Sequence, residues 1–380
     1  MKNLISLLYI FVLALFIYSS PLYGVTSTNK TIVSISGDNF YINNKITFKG
    51  ISYNGISMEG LLPNSRMVQG IFDDLNPETQ HLWKYPDTGE WDADRNTNEF
   101  VVAMTDWRQH GLLSFTLNMQ GGSPFGYSKS QPWDNSAFKS DGTLRDAYMG
   151  RLQKILDKAD ELEMVVILGL FYFGQDDRLT DESAVINAVN NTIDWLFEHN
   201  YQNVLIEVNN ECDNKYSHEI LKAERVYELI DMVKSKEKNG YRYYVSTSFN
   251  GNTIPSEMVV KSSDYILLHG NGVAQPDRIT EMVELTRKLK SYRPMPIIFN
   301  EDDHYEFDKP ANNMLNALKV HASWGYFDFR RVKGQRGSEV DEPFEDGFQS
   351  VPVDWRVSSE RKKAFFEFLS KITSVKSLKQ

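Results

Sequence analysis

Hydrophobic positions recur in this chain with two alternating periods. Short apolar runs rich in β-branched residues, at positions 112–118, 164–172, 203–211, 242–249, 265–269, 295–301 and 324–329, read as buried strands. Between most of them lie stretches with helical spacing, at 99–109, 144–161, 181–198, 217–236, 278–290 and 311–320. A run at 46–53 supplies a first strand, so the count reaches eight, and residues 358–372 form a closing helix. Eight strands with interleaved helices predict an α/β fold of the (β/α)8 (TIM) barrel type. A doubly wound open sheet gives a similar alternation, but no glycine-rich phosphate loop follows the first strand.

Two features decorate this regular pattern. Residues 31–48 hold two short alternating runs with turns at Gly37-Asp38 and Asn43-Asn44-Lys45, which predict a small β-hairpin ahead of the barrel. Long connections follow the first and second strands, the first reaching about Thr97. They carry Trp83, Tyr85 and Trp91, then Phe125, Tyr127 and Trp133, an aromatic content that favours ordered walls over loose linkers. With no internal repeat and no low-complexity linker, residues 25–380 read as a single domain.

The N-terminus changes the picture of where this domain works. After Lys2, residues 4–18 are mostly apolar, too short for a spanning helix of roughly twenty residues. A secretory signal peptide over residues 1–24, cleaved near Gly24, is the expectation, with an uncleaved anchor as the alternative. The mature protein is then secreted or periplasmic. Its only cysteine is Cys212, so no intramolecular disulfide is available and the fold must rest on its core, for which 13% aromatic residues give material. A net charge of −10 argues against nucleic acid and anionic membranes as partners. A monomer without a cofactor is expected.

Chemistry concentrates at two strand ends. The run Val204-Leu205-Ile206-Glu207-Val208-Asn209-Asn210-Glu211 turns from apolar to amide and carboxylate, and the two-residue period puts Leu205, Glu207, Asn209 and Glu211 on one face. The run Met295-Pro296-Ile297-Ile298-Phe299-Asn300-Glu301 repeats the design. Active sites of such barrels lie at the C-terminal ends of the strands, and two glutamates there are the minimum equipment for glycoside hydrolysis.

In its order of features the chain resembles the clan A retaining glycoside hydrolases, most nearly the family five cellulase and mannanase-like barrels. Asn210-Glu211 matches the Asn-Glu pair that ends strand four, Glu301 the glutamate that ends strand seven, Trp324 the strand-eight tryptophan, and Glu207 a buried carboxylate four residues ahead of Glu211. The stretch Phe40-Tyr41-Ile42-Asn43-Asn44-Lys45, followed by Phe48-Lys49-Gly50, is also similar to the start of such barrels. Two positions depart from the pattern. Cys212 stands where proline is usual, and residues 116–120 lack the usual arginine of strand two.

The resemblance implies a retaining hydrolase of a β-linked poly- or oligosaccharide, with Glu211 as acid/base and Glu301 as nucleophile. Partial burial and the field of an ionised Glu301 would keep Glu211 protonated. Asn210 would contact the sugar hydroxyl beside the reacting carbon, His269 would orient Glu301, and Trp324 would offer a sugar platform. Strand-end positions add Asn118, Gln120 and Tyr172 as sugar contacts. Asp302, Asp303 and His304 read as structural rather than metal-binding, and Cys212 has no evident histidine partner to make it a nucleophile. A carbohydrate-binding protein on a degenerate barrel is the alternative.

Overall fold

Eight parallel strands carry the molecule. The computed structural model describes residues 30–128, 130–332 and 342–374, and the expected signal peptide lies outside the described residues. An antiparallel sheet comes first: β1 (Val33–Ser36), β2 (Asn39–Ile42) and β3 (Lys45–Ile46). A two-stranded ribbon follows, β4 (Ser52–Tyr53) with β5 (Ile56–Ser57). The barrel strands are β6 (Asn64–Arg66), β7 (Ser114–Asn118), β8 (Val165–Tyr172), β9 (Val204–Asn210), β10 (Tyr244–Ser246), β11 (Ile266–His269), β12 (Ile297–Glu301) and β13 (Ser323–Tyr326). They pair in the order β10-β9-β8-β7-β6-β13-β12-β11. Between β10 and β11 the Asp264 N–H donates to the Val245 carbonyl at 3.0 Å, which leaves the barrel nearly closed.

The helices are α1 (Ala93–Gln109), α2 (Asp146–Glu161), α3 (Glu182–Glu198), α4 (Val226–Ser235), α5 (Glu257–Ser262), α6 (Asp277–Arg287), α7 (Asn313–Lys319) and α8 (Glu360–Ile372). Their apolar stripes meet the outward side chains of the strands in one large core that includes Phe100, Trp107, Ile193, Trp324 and Trp355. A second, smaller core fills the barrel's N-terminal end. There Val33, Phe40 and Ile42 of the hairpin plug the floor against Leu113, Val165, Ile167, Leu205, Leu267 and Ile298. With the floor apolar, polar inward-facing residues are left to the upper layer and the C-terminal mouth.

Residues 46–53 are not a barrel strand. A strand of this barrel is buried on both faces, whereas Lys49, Gly50 and Ser52 are exposed, and the segment divides between β3 and β4. The first barrel strand is the three-residue β6, inside what reads from sequence as a long loop. The hairpin expected before the barrel is present as β1 and β2. Helix 217–236 shrinks to α4, preceded by a 3-10 turn at Glu219–Leu221, while α1 begins earlier than expected because Asp92 caps it by accepting from the Arg95 N–H at 2.9 Å.

Both long connections are ordered walls. Asp74 ties them together, accepting from the Trp83 indole at 2.7 Å, from the Thr79 hydroxyl at 2.6 Å and from the Asp134 N–H at 2.9 Å. Trp83 packs against Phe72, Phe125 and Trp133. Among the described residues, no helix is long and apolar enough to cross a membrane.

Candidate active site

The end of β9 is where the strand's alternation stops being regular. Leu205 and Glu207 face the barrel interior, but Asn209 faces outward, its amide donating to the Leu221 carbonyl at 2.7 Å and accepting from the Thr247 hydroxyl at 2.6 Å. Asn210 takes the inward place instead. The neighbouring β8 slips in step, with Phe171 against Phe138 outside and Tyr172 at the mouth. One residue later the backbone turns through the left-handed region at Glu211, φ 54°, a conformation a side chain rarely adopts unless its surroundings hold it. The Ser248 hydroxyl does so. It accepts from the Glu211 N–H at 3.0 Å and donates to the buried Glu207 carboxylate at 2.6 Å, whose other oxygen accepts from Asn300 at 3.2 Å. Glu207 is thus the anchor beneath the mouth.

Glu211 and Glu301 converge there. A carboxylate oxygen of each, together with a ring nitrogen of His269, lie within 4.8 Å of one another. His269 Nδ1 stands between the two, 3.2 Å from Glu211 and 3.6 Å from Glu301. Arg66, the last residue of β6, places Nε 2.9 Å from Glu301 and donates through Nη2 to the Asn210 side-chain oxygen at 2.9 Å. The Asn271 amide donates to the other Glu301 oxygen at 3.0 Å and to the Tyr127 hydroxyl at 3.1 Å, and Tyr127 donates in turn to Asp303 at 3.0 Å. Among the described residues, Glu211 receives only the Asn214 amide, at 3.2 Å, besides His269.

This distribution of partners separates the two carboxyls. Burial pushes Glu211 up to about 7, against the lowering effects of Arg66 and the Asn214 hydrogen bond. Burial, one of the two causes expected from the sequence, is the largest here, and the charge that adds to it is Asp213 rather than Glu301. Burial raises Glu301 as well, but Arg66 is in direct contact with it and pulls the other way. The ion pair therefore favours the charge on Glu301 and leaves the proton to Glu211. Burial lowers His269, against the raising field of Glu301. The three ligand atoms would also suit a cation by distance, but the Arg66 guanidinium already supplies a fixed positive charge at Glu301 and opposes a second one.

The other candidates divide. Asn210, His269 and Tyr172 lie at the mouth; burial, followed by Glu211 and Glu301, raises the Tyr172 phenol. Asn118 points into the barrel over Gly169, and neither atom of its buried side-chain amide has a partner among the described residues. Gln120 is committed elsewhere, donating to the Gln175 carbonyl at 2.9 Å and to Ser136 at 3.2 Å, so it ties loops together rather than meeting a sugar. Trp324 is no platform either. It is 0% exposed and turned outward into the helix layer against Phe307 and Phe365, its indole donating to Asp302 at 2.8 Å. Just past the end of β13, the Phe327 ring lies 6.0 Å from the Arg66 guanidinium carbon.

Asp302 is saturated with donors: Trp324, Asn313 at 2.9 Å and His304 Nδ1 at 2.6 Å. His304 Nε2 faces the Val273 carbonyl at 3.1 Å, so both ring nitrogens act as donors. Against the downward pull of burial, the Asp302 hydrogen bond raises His304 to about 9. The hydrogen bonds around Asp302 and His304 support a structural reading of this cluster. The Cys212 thiol is buried and pushed up by desolvation, which leaves it inert. Sequence reasoning missed Arg66, Asn214, Asn271, Ser248 and Tyr127. Of these, Arg66 lies on β6, next to the strand on which the resemblance implies an arginine.

No protein-family model matches the chain, and no curated protein matches it. Solved structures do. A family 5 mannosidase from Rhizomucor miehei is 13% identical, with a TM-score of 0.51 over 90% of this chain and 98% of that one. A protein from Bacteroides vulgatus, provisionally assigned as a glycoside hydrolase, is 14% identical, with a TM-score of 0.52 over 88% of this chain. The chain spans 60% of that protein's length. At such identities the likeness is one of fold: this chain is built on the (β/α)8 barrel found in the family 5 glycoside hydrolases.

Proposed function

We propose that this protein is an exported glycoside hydrolase that cleaves a β-linked poly- or oligosaccharide with retention of configuration. The observation that carries the reading is the approach of one carboxylate oxygen of Glu211 to one of Glu301, within 4.8 Å at the C-terminal mouth, with Arg66 in an ion pair with Glu301. Retaining enzymes hold their carboxyls about 5–5.5 Å apart, and inverting ones leave roughly 6.5–9.5 Å for a water.

In the first step Glu211 gives its proton to the glycosidic oxygen while the Glu301 carboxylate attacks the anomeric carbon. The C–O bond to the leaving sugar breaks, and an ester between Glu301 and the glycone forms. Forming that ester removes the negative charge from Glu301, so Arg66 loses its ion pair and keeps Asn210. Glu211, now ionised, takes a proton from water, whose oxygen attacks the same carbon and returns Glu301 to its carboxylate form. The Asn210 amide N–H groups, without a partner among the described residues, remain available to the hydroxyl next to the reacting carbon.

Azide tests these roles. Glu301→Ala should be nearly inactive and regain turnover with added azide, giving a glycosyl azide of configuration opposite to the substrate. Glu211→Ala should still accept substrates with activated leaving groups and give the azide of retained configuration. The reverse pattern would exchange the two roles, and wild-type protein that binds sugars without releasing product would make this a binding protein.

A further inference from the structure

Resting on that reading, we infer that the enzyme works from chain ends, because a roof closes the glycone side of its mouth. The loop after β7 does not stay over its own strand. Tyr127 reaches past the ends of β6 and β13 to Asp303 after β12, at 3.0 Å, and to Asn271 after β11, at 3.1 Å. Its ring packs edge-on against Phe327 and Phe329, at centroid distances of 5.7 and 4.9 Å.

The roof is pinned along its length. The Gln349 amide donates to the Ser123 carbonyl at 2.9 Å, and the Val351 N–H donates to the Pro124 carbonyl at 2.6 Å. Gly126 lies so close under Phe329 that a Cβ there would meet the ring at 2.6 Å. Beneath the roof are Arg66 and Glu301, and Glu301 is only 4% exposed.

Glu211 is itself buried, at 8% exposed, but the loops beside it reach solvent. Next to Glu211, the residues after β9 and β10 include exposed Asp213, Lys215 and Asn252, with Asn214 and Asn250 half-buried. Chemistry then orients the substrate. The sugar that becomes esterified lies against Glu301, under the roof, whereas the leaving sugar accepts its proton from Glu211, on the side of those loops. A through-running cleft needs both sides open, and a chain interior could not be threaded past Tyr127. At the ends of β7 and β6, the buried Asn118 amide and Arg66 Nη1 have no partner among the described residues and can meet the hydroxyl groups of a terminal sugar. Tyr127 is thus the residue that excludes internal bonds.

The test is the order of products from β-linked gluco-, manno-, xylo- and galacto-hexaoses, each carrying a fluorophore at its reducing end. From the earliest time point, the wild-type enzyme should give the labelled pentaose and then the tetraose, each with one free monosaccharide. Tyr127→Phe keeps the ring and should keep that order, although its turnover falls through the lost hydroxyl. Tyr127→Ala removes the roof's keystone and should add labelled trisaccharide and disaccharide to the first products. Early internal fragments from the wild type, or an unchanged order in Tyr127→Ala, would overturn the inference and leave the glycosidase reading intact. No cleavage of any labelled chain by the wild type would overturn both.

Discussion

Arg66 Nε lies 2.9 Å from a Glu301 carboxylate oxygen, and both side chains are almost wholly buried. The ion pair sets the division of labour at the mouth, because the same guanidinium also holds Asn210. Removing one partner of a buried pair leaves an uncompensated charge at a cost of about 3–5 kcal/mol. Arg66→Ala is therefore expected to lower kcat/KM by about 100-fold or more and to move the acidic limb of the pH profile upward. Arg66→Lys should recover little, since one ammonium cannot reproduce a fork that meets Glu301 and Asn210 together. Steady-state kinetics across pH check both expectations.

Glu211 sets the basic limb. The acid must be protonated, and burial holds it up at about 7, so kcat/KM is expected to fall as pH rises through that value. Stability follows the same sign. The folded value exceeds the ordinary 4.5, so the native state is favoured fully below about 4.5 and loses that advantage as pH rises through about 7. Glu211→Gln should then match the wild type in acid and exceed it above pH 8, by at most roughly 3 kcal/mol, in denaturant titrations.

Ser248 holds the turn that presents the acid. Ser248→Ala removes the acceptor for the Glu211 N–H and a donor to Glu207, both buried. An orphaned buried group costs about 1–3 kcal/mol, so the midpoint of denaturation should drop accordingly, and kcat should fall as Glu211 loses its fixed position. Unchanged kcat in a destabilised protein would limit Ser248 to a structural part.

His304 offers a pH test remote from the chemistry. Its folded value of about 9 exceeds the ordinary 6.5, so its contribution is complete below about 6.5 and is lost as pH rises through about 9. His304→Gln should therefore destabilise the protein more at pH 6 than at pH 10, as read from thermal midpoints. Added divalent cations should leave the wild-type midpoint unchanged.

Much of this was legible in the chain because buried parallel strands write themselves as continuous apolar runs. Residues 203–211 and 295–301 do so clearly, and their terminal glutamates therefore stood out. The first barrel strand did not, since Asn64-Ser65-Arg66 is polar at every position and owes its place to pairing with β7 and β13. Arg66 was hidden with it. The half-exposed run at 46–53 looked more like a strand because alternation is what exposed hairpins show. Trp324 illustrates another limit: being at the end of a strand does not say which face a side chain takes, and one residue of register sends it into the helix layer. The slip between Glu207 and Asn210 is of the same kind. Tyr127, Asn214 and Asn271 sit in loops, where no periodicity announces a long-range partner.

The most direct test of the central claim is to trap the intermediate. An activated 2-deoxy-2-fluoro glycoside slows both steps, but its good leaving group speeds the first, so a covalent glycosyl-enzyme accumulates. After proteolysis, mass spectrometry should find the fluorosugar on the peptide containing Glu301, with one sugar per chain, and Glu301→Gln should abolish the label. A label on Glu211, or none at all under conditions where the enzyme turns over and forms product of inverted configuration, would contradict the double displacement between these two glutamates.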